Sequence, residues 1–267
     1  MKKEILKVEN LSISFVQYGK KLEENTVNPV KSLNIEIEKG KILAIVGASG
    51  SGKSLLAHAI MGILPRNATV TGNIFYKGEK LDRKRVKDLR GREIAFIPQS
   101  VNYLDPSMKV KKQVQIGLSE NYKVKYQEEL FEKYGLKKSD GELYPHQLSG
   151  GMLRRVLFAT SIREGVELII ADEPTPGVHP EALESMLNEL RELADSGVAV
   201  MLITHDIFSA IRIADYVTIF KDGEIVETSP SESFKNDGEE LKTEYAKELW
   251  KALPQNRFIE LEDFSWL

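Results

Sequence analysis

The stretch at residues 42–60 constrains this chain more than any other. An apolar run, Ile42-Leu43-Ala44-Ile45-Val46, leads into Gly47-Ala48-Ser49-Gly50-Ser51-Gly52-Lys53-Ser54, and a helix-forming run, Leu55-Leu56-Ala57-His58-Ala59-Ile60, follows. Strand, glycine-rich loop and helix in that order make a nucleotide-binding P-loop: the glycines let successive backbone N–H groups close around phosphate oxygens, and the helix start adds positive dipole. Lys53 can reach the β- and γ-phosphates, and Ser54 can ligate Mg²⁺. Gly47, Ala48, Ser49, Gly50, Ser51, Gly52, Lys53, Ser54 and Leu55 are therefore the expected nucleotide contacts. Kinases, GTPases, helicases and transport ATPases all carry such a loop, so further residues must decide among them.

At 267 residues and 42% hydrophobic composition, the chain can bury the core of one large or two small domains. A net charge of -3 gives no bulk attraction for nucleic acid. The basic stretch at residues 80–92 is interleaved with Asp82 and Asp88, and reads as a solvated face. With no cysteine there are no disulfides, thiolate zinc sites or cysteine-ligated clusters, so metal chemistry must use oxygen or histidine ligands. Nowhere do about 18 apolar residues run together, and the N-terminus lacks the apolar core of a secretion signal. Any membrane role is expected to be played from the surface.

Alternating apolar positions at residues 5–15 and 30–37 predict strands of an antiparallel flank, with the polar insert at residues 19–28 as a loop. Residues 71–78 read as a strand and turn, and residues 94–99 as another strand. From about residue 107 to 136 the chain is charged and helix-forming, which predicts a helical lobe inserted into the core. Strand signals return at 167–171, 198–203 and 216–220, with helical periodicity at 180–194 and 207–214 between them. That alternation predicts a parallel α/β sheet.

Two further patterns carry chemistry. Leu168-Ile169-Ile170-Ala171 is a buried strand ending in Asp172 and Glu173, at the sheet edge where ligands sit. Asp172 can bind Mg²⁺, and Glu173 can polarise a water against the γ-phosphate; in isolation the pair could equally just end a strand. Leu148-Ser149-Gly150-Gly151-Met152 precedes a helix-like run and repeats the chemistry of an anion-binding helix start. One γ-phosphate does not need two such cradles from one chain, so Ser149, Gly150 and Gly151 are expected to close on a nucleotide held by a partner subunit.

With these residues in hand, the chain resembles the ATP-binding-cassette ATPases over about residues 6–228. GASGSGKS at 47–54 is similar to their Walker A, LIIADE at 168–173 to Walker B, and LSGGM at 148–152 to the signature motif. Gln99 after Phe96-Ile97-Pro98 matches the Q-loop, and His205 in Ile203-Thr204-His205-Asp206 the switch histidine. The resemblance implies a P-loop NTPase of RecA-like fold: a parallel-sheet core with an antiparallel β flank and an inserted helical subdomain. The expected division is a core of about 1–99 and 160–230, a helical subdomain of about 100–159 and a tail of about 231–267. It also implies a head-to-tail dimer with two ATP molecules held between Walker A of one protomer and the signature of the other. Catalysis is then expected from Glu173, His205, Gln99 and Lys53, with Ser54, Gln99 and Asp172 around Mg²⁺. Adenine stacking is expected on an aromatic residue upstream of Walker A; Phe15 could equally be core, so Tyr18 is preferred.

One departure stands in the loop after Walker B, which reads Thr175-Pro176-Gly177-Val178-His179-Pro180, with His179 where the family usually has aspartate. In the family that aspartate couples the two ATP sites, so the symmetry of the sites is in question. Tyr144-Pro145-His146-Gln147 before the signature and Leu153-Arg154-Arg155 after it, together with the tail at residues 244–254, resemble the peptide and nickel importer ATPases of bacteria. The chain lacks the C-terminal cysteines of many of these, and resembles a short version of that branch. Trp250, Phe258, Phe264 and Trp266 read as packing anchors. The implied function is ATP hydrolysis energising uptake of peptides or nickel and metal chelates, from the cytoplasmic face of the membrane. The implied partners are a second, non-identical ATPase subunit, two transmembrane permease subunits and an extracellular or periplasmic binding protein. The alternatives are a soluble cassette ATPase working as a mechanochemical clamp, and a P-loop kinase, which would have no use for residues 148–152.

Overall fold

A computed structural model describes residues 4–18, 24–174, 180–235 and 238–253. The chain begins with a long hairpin, β1 (Glu4–Tyr18) against β2 (Glu24–Glu38), then β3 (Ile42–Val46) and helix α1 (Lys53–Ile60). There follow β4 (Ala68–Tyr76), β5 (Glu79–Lys80), α2 (Arg83–Leu89) and β6 (Ile94–Ile97). A helical insert of α3 (Val110–Gln115), α4 (Lys123–Lys133) and α5 (Gly150–Ser161), joined by short 3₁₀ turns, precedes β7 (Leu168–Asp172). The chain closes with α6 (Pro180–Asp195), β8 (Ala199–Thr204), α7 (Ile207–Ile213), β9 (Tyr216–Lys221), β10 (Glu224–Pro230) and α8 (Glu244–Lys251).

The strands form two sheets. One has the order β10-β9-β3-β8-β7-β6 and is parallel except for the β10 edge; the other is antiparallel, in the order β2-β1-β4-β5. Strands β3, β7 and β8 are buried at every position, because both faces of the parallel sheet are covered. Their alternate residues feed two cores. Ile42, Ala44 and Val46 point with Ile169 and Val200 toward the helical insert and α6 and α7. Leu43 and Ile45 point with Ile170 and Met201 toward α1 and the antiparallel sheet. The fold class expected from the sequence is the one observed.

Three details differ from the expectations. Residues 24–28 are strand rather than loop: they pair with the end of β1, Val27 opposite Phe15 and Glu24 opposite Tyr18. Their side chains are exposed, so the backbone ladder alone orders them and no apolar alternation announces it. Within the charged stretch, α2 is a helix whose N-terminus Asp82 caps through the Arg85 N–H. Arg85 also donates to the Tyr76 and Glu79 carbonyls and so braces its own surroundings. Third, β10 adds an antiparallel edge, and its buried Glu227 accepts from the Lys242 and Thr243 N–H groups ahead of α8. On α8, Trp250 is buried against Phe208 and Phe234, the packing role expected of it. Phe258, Phe264 and Trp266 lie outside the described residues.

Candidate nucleotide site

The P-loop runs from the end of β3 into α1, and its geometry forces its glycines. A Cβ on Gly47 would sit 2.1 Å from the Phe220 carbonyl oxygen. Gly52 has φ +108°, and a Cβ there would sit 2.3 Å from the Pro29 oxygen. Only glycine lets the loop pack this tightly against β9 and β2. Lys53 folds back across it, its Nζ donating to the Gly47 and Ala48 carbonyls at 2.8 Å each. Burial pushes its pKa down, while the nearby Glu173 and Asp172 carboxylates oppose that.

Opposite the loop, β7 delivers the two acidic residues. The Ser54 hydroxyl donates to Asp172 Oδ1 at 3.0 Å. Burial raises the Asp172 carboxyl to about 6, against the pull of Ser54 and Lys53. With the Ser54 oxygen this carboxylate forms a hard, oxygen-only pair of the kind Mg²⁺ takes. Among the described residues no group of three or more His, Asp or Glu side chains could hold a metal. The donor set thus fits an ion completed by phosphate and water oxygens.

Glu173 takes a left-handed backbone, φ +45°, strained for a non-glycine residue by about 1–2 kcal/mol. Its N–H donates to the Ile203 carbonyl at 2.8 Å, which holds it there. This conformation turns the carboxylate to meet two other elements. Gln99 Nε2, two residues beyond β6, donates to Glu173 Oε2 at 3.2 Å. His205 Nδ1, just past β8, lies 3.2 Å from the same oxygen. Asp206 caps α7 through the Ser209 N–H, which fixes the turn that presents His205.

A cavity of about 220 Å³ is walled by Ser49, Gly50, Gly52, Lys53, Ser54 and Leu55 on one side and Gln99 and Glu173 on the other. That is below the roughly 300–1,000 Å³ of a complete small-molecule pocket. It suits a phosphate tail rather than a whole nucleotide. Larger hollows, of about 790 and 640 Å³, contain none of these side chains.

The structure therefore brings together Lys53, Ser54, Gln99, Asp172, Glu173 and His205. It does not bring Ser149, Gly150 and Gly151 into that cavity. They start α5, where Ser149 caps the helix by accepting from the Met152 N–H, and a Cβ on either glycine would meet nothing within 4 Å. Phe15 is half-buried and packs on the core beneath the antiparallel sheet. The side chain of Tyr18 and the whole of residues 175–179, including His179, lie outside the described residues. Sequence reasoning assigned no role to Arg154, whose Nη1 donates to the Gln99 carbonyl. Main-chain acceptors leave no motif, and the only signal was two adjacent arginines after the signature.

Comparison with known proteins supplies the rest. The family model described as ABC transporter matches residues 30–176, just over half the chain. The oligopeptide transport ATP-binding protein OppD of Bacillus subtilis is 34% identical over 239 residues, covering 84% of this chain and 65% of the relative. The dipeptide transport ATP-binding protein DppD of Lactococcus lactis subsp. cremoris is 33% identical over 240 residues, with 84% and 67% covered. The chain thus spans about two thirds of the length of these relatives. Among solved structures, a dimeric post-hydrolysis state of the ATP-binding cassette MJ0796 bound to ADP and Pi superimposes with a TM-score of 0.76 at 26% identity, covering 85% of this chain and 99% of that one. With five motifs in order, a matching fold and these relatives, the chain belongs to the ABC transporter family of ATP-binding cassettes.

Proposed function

We propose that this chain is the ATP-hydrolysing subunit of an importer that takes up peptides. The carrying observation is the convergence of the P-loop, Gln99, the Asp172-Glu173 pair and His205 from four separate segments around one phosphate-sized cavity. Glu173 is the base that takes a proton from the attacking water, and His205 and Gln99 hold its carboxylate in place until the γ-phosphate arrives. Lys53 exchanges its loop carbonyls for β- and γ-phosphate oxygens and offsets their charge. Ser54, Asp172 and Gln99 would hold Mg²⁺, which would neutralise charge on the phosphates. The adenine is taken by Tyr18 at the end of β1, the strand paired with β2, whose Pro29 abuts the P-loop.

The open glycines of α5 support a partner cassette: a Cβ on Gly150 or Gly151 would meet nothing within 4 Å among the described residues, and with Ser149 they complete the site of a second molecule. That molecule is a related ATPase subunit, and an extracellular or periplasmic binding protein delivers the cargo. Permease subunits are expected on the hollows between the helical insert and the core, where Tyr103, Ile116 and Tyr122 are exposed. No helix among the described residues is long and apolar enough to cross a membrane. The seat of the chain is peripheral, on its permease partners at the cytoplasmic face. The named relatives favour peptides over nickel chelates as cargo and give the soluble-clamp alternative no support. The test is reconstitution with the permease genes' products in liposomes. Mg²⁺-dependent ATP hydrolysis with uptake of labelled peptide is the expected result; uptake of labelled Ni²⁺ chelate, or hydrolysis without any transport, would overturn the reading of the cargo or of the role.

A further inference from the structure

Arg154 lies on the second turn of α5, partly buried, and reaches out of the helical insert to the nucleotide end of the parallel sheet. Its Nη1 donates to the Gln99 carbonyl and lies 3.5 Å from that of Pro98. Burial pushes the guanidinium pKa down, while the charge of Glu173 opposes this. Its hydrogen bonds among the described residues all go to main-chain oxygens. A guanidinium hydrogen-bonded to carbonyls fixes the position of a backbone, and here its charge also stands near Glu173 without bonding it.

The neighbouring Arg155 shows the contrast. It donates to the Tyr134 and Gly135 carbonyls at 3.0 and 2.9 Å, which ties α5 to the end of α4 within the insert. Arg154 instead grips a residue of the core. Gln99 is thus held at both ends: its carbonyl by α5, and its amide by Glu173 Oε2 at 3.2 Å. Ser149, which caps α5, lies five residues before Arg154, about 7.5 Å along the axis at about 1.5 Å per residue, within one rigid helical segment.

We propose that Arg154 is a positioning residue that couples Gln99 to the start of α5, so that engagement of Gln99 at the γ-phosphate and presentation of Ser149 to the partner's nucleotide occur as one movement. The proposal rests on the reading of Gln99 and Glu173 given above. It requires no new contact with nucleotide: Arg154 touches none of the P-loop residues, so nucleotide affinity is set without it. Its effect belongs to the chemical step, where a backbone shift of about 1 Å can cost on the order of a hundredfold in rate.

The test compares Arg154→Met, Arg154→Lys and Arg155→Met in the full chain with its partner subunits, reading nucleotide Kd, KM, kcat and Tm. Arg154→Met is expected to leave nucleotide Kd and KM within about twofold of wild type and to lower kcat between about ten- and a hundredfold. Arg154→Lys, whose ammonium can still reach one carbonyl, recovers part of that loss. Arg155→Met lowers Tm and leaves kcat within about twofold among molecules that remain folded. Gln99→Ala combined with Arg154→Met hydrolyses no more slowly than Gln99→Ala alone, because both act through one side chain. Unchanged kcat in Arg154→Met, fully additive losses in the double variant, or a parallel fall of Tm and nucleotide affinity in Arg154→Met would each overturn the proposal while leaving the site reading intact. A wild-type protein that fails to hydrolyse ATP would overturn the reading of the site, and Arg154's role with it.

Discussion

The chain contains two glycine-rich helix starts, and they differ in what surrounds them. At α1 the two ends of the loop are packed to the limit: Gly47 and Gly52 have no room for a Cβ, Gly50 between them is open but held at φ +79°, and Lys53 is folded onto the loop's own carbonyls. At α5, Gly150 and Gly151 have nothing within 4 Å of the place where a Cβ would sit. Close packing against the same chain marks a cradle that is finished by its own fold. Open glycines at a capped helix start have no such internal reason. Under the proposed function, the first cradle grips nucleotide and the second encloses a partner's.

The largest effect should come from removing the base while both cradles stay. Glu173→Gln keeps the shape and the left-handed turn but cannot accept a proton, and general-base catalysis is worth about 10²–10⁴ in rate. Hydrolysis is expected to fall by about a thousandfold while ATP still binds, and sedimentation should show a nucleotide-dependent complex with the partner cassette. Near-normal turnover would break the assignment of Glu173.

Next comes a matched pair of substitutions. Gly47→Ala drives a methyl group into the Phe220 carbonyl and is expected to destabilise by about 3 kcal/mol, a fall in Tm on the order of 6–12 °C for a chain this size. Gly150→Ala meets no obstacle in its own chain and lies in the first turn of a helix, so Tm should hold or rise slightly. Hydrolysis in the assembled complex should nevertheless fall. Equal thermal shifts for the two variants would erase the distinction between a packed and an open cradle.

Much of this contrast was legible before any coordinates. Strands β3, β7 and β8 are buried on both faces, so each reads as an unbroken apolar run, and the two carboxylates stand at the end of one of them. The P-loop and the signature are local motifs whose glycines and hydroxyls declare their chemistry. Illegible parts share another cause, since they depend on main-chain bonding. Residues 24–28 pair as strand with exposed polar side chains, and α2 buries only Val86, too little for a helical period to show. Arg154 binds carbonyl oxygens, which every residue has, so sequence could not name its target. The left-handed turn at Glu173 was equally hidden, because the aspartate-glutamate pair says nothing of the backbone that aims it.

The packed cradle also carries a charge that the open one lacks. Burial raises the Asp172 carboxyl to about 6 from 3.8, so between those values the folded chain binds more protons than the unfolded chain. Stability of the nucleotide-free protein should therefore fall as pH rises from about 4 through about 6, by roughly 2–3 kcal/mol from this residue. Asp172→Asn should remove that slope and make the nucleotide-free protein more stable at pH 7 in urea unfolding, while Mg²⁺-dependent hydrolysis is lost. An unaltered slope in the variant would mean that the buried carboxylate is already compensated, and would weaken the case for a cation there.

The smallest effect probes the open cradle alone. The Ser149 oxygen accepts from the Met152 N–H as a helix cap, which leaves its hydroxyl hydrogen to donate to a phosphate of the partner's nucleotide. Ser149→Ala removes both, at a cost of about 1 kcal/mol to the helix start and roughly tenfold in kcat. Ser149→Asp keeps the cap but brings a negative charge toward phosphate, so it separates the two roles: Tm stays near wild type while hydrolysis falls further than in Ser149→Ala. Nucleotide binding to the isolated chain should be unaffected in both, because the phosphate cavity contains no atom of Ser149. Should Ser149→Asp instead weaken nucleotide binding by the chain alone, the second cradle would be acting on its own nucleotide, and the partner would lose its purpose in the site.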